Sequence, residues 1–254
     1  MIIIGAGRIG TALKARSERI DVPVVLVDRT SGSEALEGAQ GAPILVAVRN
    51  DALVDVVARV PAHRRSDLVF IQNGMFRSLL REVSLVNATR GLLYFAVAKL
   101  GDEPIEGLTS PFCGPHGPAM ATWLGRMGLR AESMDWARFT YYELEKLMWL
   151  SCFGILCATH DCTVGEVIAK YRNELAALVV EQAAIGRAGN GVDAPADYML
   201  ARLVAYSESI ASFRAGVKEW PYRDGWLCRT AMERGVSAPV YFEHLRSLGY
   251  EPTA

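Results

Sequence analysis

Lys146 stands near the head of ELEKLMWLSCFGILCATHDC, residues 143–162, a segment that is apolar on nearly every side of a helix. An ammonium group in such a place is costly to bury unless something charged or reactive meets it. It either meets such a group or snorkels to water beside Glu143 and Glu145. A second concentration of chemistry lies at the start of the chain. There IIIGAGRIG runs a short β-branched strand into Gly5, Gly7 and Gly10, the GxGxxG spacing. In that pattern the first glycine makes a tight turn and the second lets the backbone approach a pyrophosphate. The third lets the helix pack against the strand. The amides around Arg8 and Ile9 that open the helix then face phosphates, helped by the helix dipole.

About 20 residues on, a dinucleotide-binding unit ends its second strand in a ribose-binding residue. VPVVLVDRT supplies that strand and ends in Asp28 followed by Arg29. Asp28 can accept hydrogen bonds from both ribose hydroxyls and repel a 2′-phosphate, favouring NAD(H). Arg29 can pair such a phosphate or lie on the adenine, favouring NADP(H). The balance leans to NAD(H). The alternative for Asp28 is a plain turn cap.

These residues need a scaffold, and the pattern around them supplies one. After the helix IGTALKARSERI, strands and helices alternate. PILVAV ends at Arg49 and opens the helix NDALVDVVARV with Asn50 or Asp51 as its cap; DLVFIQNG ends in Gln72-Asn73-Gly74; GLLYFAVAKL, residues 91–100, is a fifth strand. Continuous apolar strands separated by helices imply a parallel sheet covered on both faces, with polar residues at strand ends lining the ligand crevice. That places Arg49 and Asn73 beside the cofactor. Beyond PFCGPHGP the pattern turns helical: PAMATWLGRMG, then residues 136–160, 164–189, 195–219 and 223–246. The fold class is therefore α/β. A Rossmann-type doubly wound parallel sheet over residues 1–132 is followed by an all-helical substrate and catalytic domain over residues 133–254. Such a pair commonly holds substrate between its parts.

The bulk numbers bound the partners. With 27 Lys and Arg against 28 Asp and Glu, the net charge of −1 lacks the basic excess that nucleic acid or a membrane surface requires. No apolar run reaches the roughly 18 residues of a membrane span, and MIIIGAGRIG lacks the basic leader and small-residue cleavage site of a signal peptide. Five cysteines with no CxxC pair fit a reducing cytoplasm, and Cys157, His160 and Cys162 match no standard zinc spacing, so no metal is expected.

The second half also carries a resemblance. EKLMWLSCFGILCATHDCTVGEV resembles the lysine-helix segment of the ketopantoate reductase family, within the larger group of 6-phosphogluconate and hydroxyisobutyrate dehydrogenases. KEWPYRDGWLCRTAMERGVSAP resembles that family's later helix, with Glu219 at its glutamate and Asp224-Gly225 where the helix begins. Ser207 lies twelve residues before Glu219, the spacing of the family's substrate-contacting serine. VRNDAL and QNGM resemble its strand-end basic residue and Asn-Gly turn. The likeness spans nearly the whole chain, although the first domain is shorter than usual around residues 30–42 and 98–112. It implies reduction of a small-molecule carbonyl by hydride from NAD(H) or NADP(H), with Lys146 protonating the oxygen and Glu219 orienting the substrate. Asn73 and Ser207 would contact that substrate, and the family is compatible with a homodimer. A lysine partly desolvated beside developing alkoxide suits the role, and a carboxylate such as Glu219 would hold its ammonium in place.

One departure is informative. The family places asparagines four and eight residues after its lysine, where this chain has Leu150 and Gly154. The face formed by Lys146, Leu150, Phe153, Gly154 and Cys157 reads as apolar, with room above the glycine. A bulkier or more hydrophobic carbonyl or imine compound then fits better than ketopantoate. Two other classes stay open on the sequence: a nucleotide-binding sensor or scaffold that lost the chemistry, and an enzyme using bound NAD for non-redox chemistry.

Overall fold

The computed structural model describes residues 1–252, and the chain folds as two compact units. The first comprises Met1–Gln72 and Phe76–Phe139; the second comprises Asn73–Met75 and the chain from Thr140 onward, the division falling inside one long helix.

The first unit contains β1 (Ile2–Ile4), α1 (Arg8–Glu18), β2 (Val25–Val27), β3 (Ile44–Val46), α2 (Leu53–Arg59), β4 (Leu68–Phe70) and α3 (Arg77–Glu82). It continues with β5 (Thr89–Gly91), β6 (Phe95–Ala96), β7 (Ile105–Glu106), β8 (Ser110–Cys113), α4 (Gly117–Arg126) and β9 (Ala131–Ser133). One sheet runs β2-β1-β3-β4-β5-β8-β9. The first five strands in that order are parallel, with Ile3 beside Leu26 on one side and Leu45 on the other. β1 therefore sits where the strand order reverses, the place at which open α/β sheets bind ligands. Ile3, Leu13, Leu45, Val69 and Phe112 form the core with Trp123 and Leu124 of α4.

Three expectations change here. The fifth strand is not 91–100: β5 ends at Gly91, against whose α-carbon the Phe112 ring packs, and Phe95–Ala96 pairs separately with β7. β8 and β9, neither of them read as a strand in the sequence, extend the sheet, with β8 antiparallel to β5. α2 is entered through a tight 3-10 turn at Asn50–Ala52 whose cap position is Arg49, so neither Asn50 nor Asp51 is the cap; Asp51 instead pairs with Arg49 at 3.0 Å.

The second unit is helical: α5 (Trp136–Thr159), α6 (Val164–Lys170), α7 (Arg172–Asn190), α8 (Ala196–Glu208), α9 (Asp224–Arg234) and α10 (Pro239–Ser247). α5 is its axis, with Leu144, Leu147, Met148, Phe153, Ile155 and Leu156 wholly buried. Gly186 of α7 admits Leu144, because a Cβ there would stand 2.4 Å from Leu144 Cδ2.

Each of the three later helices is shorter than the periodicity predicts. The run 164–189 breaks at Tyr171, whose ring stacks on His160 with centroids 3.6 Å apart. The run 195–219 stops at Glu208, and the chain beyond it turns its Ala211 and Phe213 carbonyls to the first amides of α6, Gly165 and Val164. The run 223–246 breaks at Gly235, left-handed at φ 65°, before Pro239 starts α10. No single helix among the described residues is long and apolar enough to cross a membrane.

Candidate functional site

In the first unit a cleft of about 900 Å³ opens at the carboxyl ends of β1, β2 and β3, lined by Gly5, Gly7, Asp28, Arg29, Arg49 and Arg59 among others. Each glycine of the motif has a separate physical reason. Gly5 takes φ 120°, and a Cβ on it would lie 2.5 Å from the Ala47 carbonyl oxygen. A Cβ at Gly10 would lie 1.9 Å from the Gly5 oxygen, so only hydrogen lets α1 close on β1. Gly7, by contrast, has nothing within 4 Å of that position, which leaves open space at the helix N-terminus. A tight turn, a close helix and a bare helix end are the cradle a pyrophosphate fits. Arg8 offers its backbone amide there, while its side chain donates to the carbonyls of Val97 and Ala98 at 3.3 and 3.0 Å. Ile9 packs its side chain against the sheet core.

Asp28 stands at the end of β2 and is exposed. Its Oδ1 accepts from the amide and hydroxyl of Thr30 (both 2.8 Å) and of Ser31 (both 3.0 Å). Those donors, led by the Thr30 hydroxyl, hold the carboxyl down at about 2. Asp28 thus caps its turn, and all four bonds gather on one oxygen. Arg59 braces the same turn, donating to the carbonyl of Ser31 at 2.9 Å and that of Asp28 at 3.2 Å. Arg29 and Arg49 are exposed on the cleft wall.

The second unit holds the lysine. Lys146, on α5, is partly exposed at the surface of the unit, yet its proton affinity is pushed down to about 7. Surrounding protein strips its hydration first, and the guanidinium of Arg223 adds repulsion. Of the acidic neighbours in sequence, Glu145 is buried and gripped by Arg202, with Nη2 to Oε1 at 3.1 Å, and Glu143 is buried. Glu219 lies at φ 49°, just ahead of a 3-10 turn over Trp220–Tyr222, and its carboxylate is bound by Arg223 Nη2. The carboxylate thus reaches the lysine's surroundings through a pair with Arg223.

Asn73 belongs to the same unit. The Asn73-Gly74-Met75 turn docks on the segment after Glu219: the Met75 amide donates to the Tyr222 carbonyl at 2.6 Å, and Gly74, at φ 86°, has no room for a side chain against that oxygen. The stem of Arg223 packs on Gly74, 3.2 Å from where its Cβ would be. Asn73, Glu219 and Arg223 are thereby tied together, with the charge of Arg223 felt at Lys146.

Below them α9 starts on a buried polar network. Asp224 Oδ1 accepts from Ser151 Oγ (2.5 Å) and Tyr241 Oη (3.1 Å), and Gln182 donates to Ser151 at 2.7 Å. Burial raises the Asp224 carboxyl above its usual range, with those hydroxyls working the other way. The network fixes the residue next to Arg223.

Two expected substrate contacts are corrected. Ser207 is wholly buried; its hydroxyl accepts from Trp149 Nε1 at 2.8 Å and donates to the Leu203 carbonyl at 2.7 Å, so it joins α8 to α5 inside the core. Gly154 has no room above it, because a Cβ would stand 3.1 Å from the Gly216 carbonyl oxygen and 3.5 Å from the Val217 amide. The glycine lets a backbone segment lie on α5. Leu150 packs partly buried against the helical core.

Arg223, Arg59 and the Thr30-Ser31 pair went unread in the sequence. For Arg223 the available signal was its four-residue spacing from Glu219, obscured because Pro221 lies between them and the intervening turn is not α-helical.

Residues 138–244 match the model of the ketopantoate reductase PanE/ApbA C-terminal domain. No curated protein matches the sequence. Among solved structures, the chain is similar to a dimeric ketopantoate reductase from Staphylococcus aureus, at 15% identity and a TM-score of 0.78, over 98% of this chain and 96% of that one. It is likewise similar to a 2-dehydropantoate 2-reductase from Methylococcus capsulatus, at 15% identity and a TM-score of 0.78, over 98% and 95% of the two chains. A D-mandelate dehydrogenase solved with NADH and anilino(oxo)acetate aligns at 16% identity with a TM-score of 0.75, over 98% and 97%. At these identities the likeness is one of fold.

Proposed function

We propose that this chain is a ketopantoate reductase-like, NAD(P)-dependent oxidoreductase reducing the carbonyl or imine carbon of a small molecule, a reading supported by the match of residues 138–244 to the family's C-terminal domain. The nicotinamide cofactor supplies the hydride. Gly5, Gly7, Gly10 and the amides of Arg8 and Ile9 hold its pyrophosphate, and Asp28, Arg29 and Arg49 hold its adenosine end. The open Oδ2 of Asp28 supports NAD(H) over NADP(H). Lys146 gives a proton to the substrate oxygen as negative charge develops on it, and Asn73 and Glu219 orient the groups around it. The small molecule and a second copy of the chain are the proposed partners, the latter supported by the dimeric relative from Staphylococcus aureus.

The observation that carries this reading is the state of Lys146. An ordinary lysine holds its proton too tightly to give it up at neutral pH, whereas one near 7 matches the working range of a general acid. The test is loss of NADH or NADPH absorbance with a panel of 2-oxo acids, ketones and imines. The likeness to a D-mandelate dehydrogenase supports including aromatic 2-oxo acids. Lys146→Ala should lower kcat by about 10²-fold or more with cofactor affinity nearly intact, and Lys146→Arg should not restore it, since a guanidinium does not release its proton near neutrality. Cofactor binding without turnover across the panel would overturn the reading in favour of a nucleotide sensor.

A further inference from the structure

We propose that Tyr250 is a positioning residue for the Lys146 site: stacked on Trp220, its ring holds the turn that carries Glu219 and Arg223. This rests on the reductase reading, in which Lys146 gives the proton and Glu219 orients the groups around it.

The turn needs an outside hold. Glu219 sits at φ 49°, a left-handed conformation that a residue with a side chain keeps only where its surroundings impose it. The backbone that follows is fixed at several points. The Pro221 carbonyl accepts from Arg229 Nη2 at 2.7 Å, the Tyr222 carbonyl from the Met75 amide at 2.6 Å, and Asp224 from Ser151 and Tyr241. Trp220, directly after Glu219, is fixed through its ring. That ring lies against Gly225 in the first turn of α9, where a Cβ would stand 2.8 Å from the indole nitrogen. Tyr250 stacks on it with centroids 4.8 Å apart and planes 7° from parallel.

Tyr250 is itself placed by the end of α10. Gly249 turns left-handed at φ 80°, and its amide donates to the Arg246 carbonyl at 2.9 Å. The Tyr250 amide donates to the carbonyl of Leu245 at 3.0 Å, and Leu245 is wholly buried. α10 thus reaches the turn twice, Tyr241 binding Asp224 and Tyr250 covering Trp220. The residues that follow Glu219 and Arg223 are both held from one helix.

What the turn sets is where charge and water stand. Glu219 and Arg223 pair across it, and the Asp224 carboxylate and Arg223 act on each other from adjacent positions. Lys146 feels first its burial and then Arg223. A turn released at Trp220 lets the guanidinium shift and water reach the ammonium, which then holds its proton more tightly. A contact that serves packing alone would change stability and leave the titration of Lys146 where it is.

The experiment compares the full-length wild type with Tyr250→Leu, Tyr250→Phe, Trp220→Leu and the variant carrying both leucines, each shown folded by circular dichroism at the assay temperature. Lys146 is titrated by acetic anhydride labelling across pH, read by mass spectrometry of its peptide. kcat, KM and cofactor affinity are measured with the carbonyl compound that the wild type reduces. Tyr250→Leu should raise the labelling midpoint by about one pH unit and lower kcat about 10- to 100-fold, with cofactor affinity unchanged. Tyr250→Phe, which keeps the ring, should match the wild type. Trp220→Leu should reproduce the loss and the double variant should add nothing to it, because the same contact is broken in all three. Trp220→Leu carries the test if Tyr250→Leu does not fold. A wild-type midpoint and kcat in Tyr250→Leu, equal loss in Tyr250→Phe, or additive losses in the double variant would overturn the proposal. If the wild type reduces no carbonyl, yet its Lys146 midpoint moves in Tyr250→Leu and not in Tyr250→Phe, the reductase reading falls and the positioning role stands. If the wild type reduces a carbonyl and Tyr250→Leu leaves midpoint and kcat in place, the reverse holds.

Discussion

Arg223 binds the carboxylate of Glu219 from four residues further along the chain, although Glu219 is itself left-handed and a 3-10 turn, not an α-helix, lies between them. The pairing keeps a guanidinium inside the fold, where its charge bears on Lys146. A base whose pKa falls from 10.5 unfolded to about 7 folded is more protonated in the unfolded chain between those values, so stability rises with pH across that window. For catalysis the protonated form is the one required. The kcat/KM for reduction should therefore be flat below about pH 7 and fall above it. Replacing Arg223 by Met removes the repulsion and should move that limb to higher pH. A full pH–rate profile of both proteins checks this; an alkaline limb that stays in place would show that Arg223 does not act on the titrating group.

The glycines of the first turn make opposite predictions. Gly10→Ala forces a Cβ into the Gly5 carbonyl and should destabilise the first unit by about 3 kcal/mol, read from denaturant unfolding. Gly7→Ala meets no protein atom and should change stability by less than about 1 kcal/mol. It should still weaken cofactor binding about tenfold or more, because the methyl occupies the phosphate's approach. Equal affinity of Gly7→Ala and wild type by fluorescence titration would remove the pyrophosphate from this turn.

Asp28 stays ionised far into acid, held down to about 2 by the Thr30 and Ser31 donors. Its repulsion of a 2′-phosphate should therefore persist at every pH at which the protein is handled. The wild type should bind NADH more tightly than NADPH, and Asp28→Ala should narrow or reverse the preference. Tighter NADPH binding by the wild type would transfer the phosphate to Arg29.

Restoring amides at the two altered helix positions should not behave symmetrically. Leu150 is partly exposed, so Leu150→Asn should fold and is the variant in which ketopantoate reduction can be sought. Gly154→Asn presses on the Gly216–Val217 backbone and should cost about 1–3 kcal/mol, seen as a lower melting temperature. A Gly154→Asn protein as stable as wild type would mean that the covering segment yields readily.

The sequence by itself carried the architecture and the glycine turn after the first strand, because these depend on local chemistry. Ile2–Ile4 running into Gly5, Gly7 and Gly10 leaves few alternatives to a strand, a tight turn and a closely packed helix, and each glycine has the steric reason its spacing implies. The all-apolar character of α5 likewise marked the axis of the helical unit. The break between Gly235 and Pro239 was passed over by periodicity, which runs through 223–246, although both residue types favour it. At Tyr171 a ring stacks on His160, and beyond Glu208 carbonyls turn to the start of α6, contacts that periodicity does not show. Only the tertiary structure decided the surroundings of Lys146. Spacing set Ser207 as a contact, yet packing between α8 and α5 consumed its hydroxyl. Glycine at 154 read as empty space, yet a backbone segment fills it. Glu219 and Lys146 looked like partners, yet Arg223 holds the carboxylate, and burial, with Arg223 adding to it, lowers the lysine's proton affinity. Desolvation and charge depend on what lies within a few ångströms, and that neighbourhood exists only once the chain has folded.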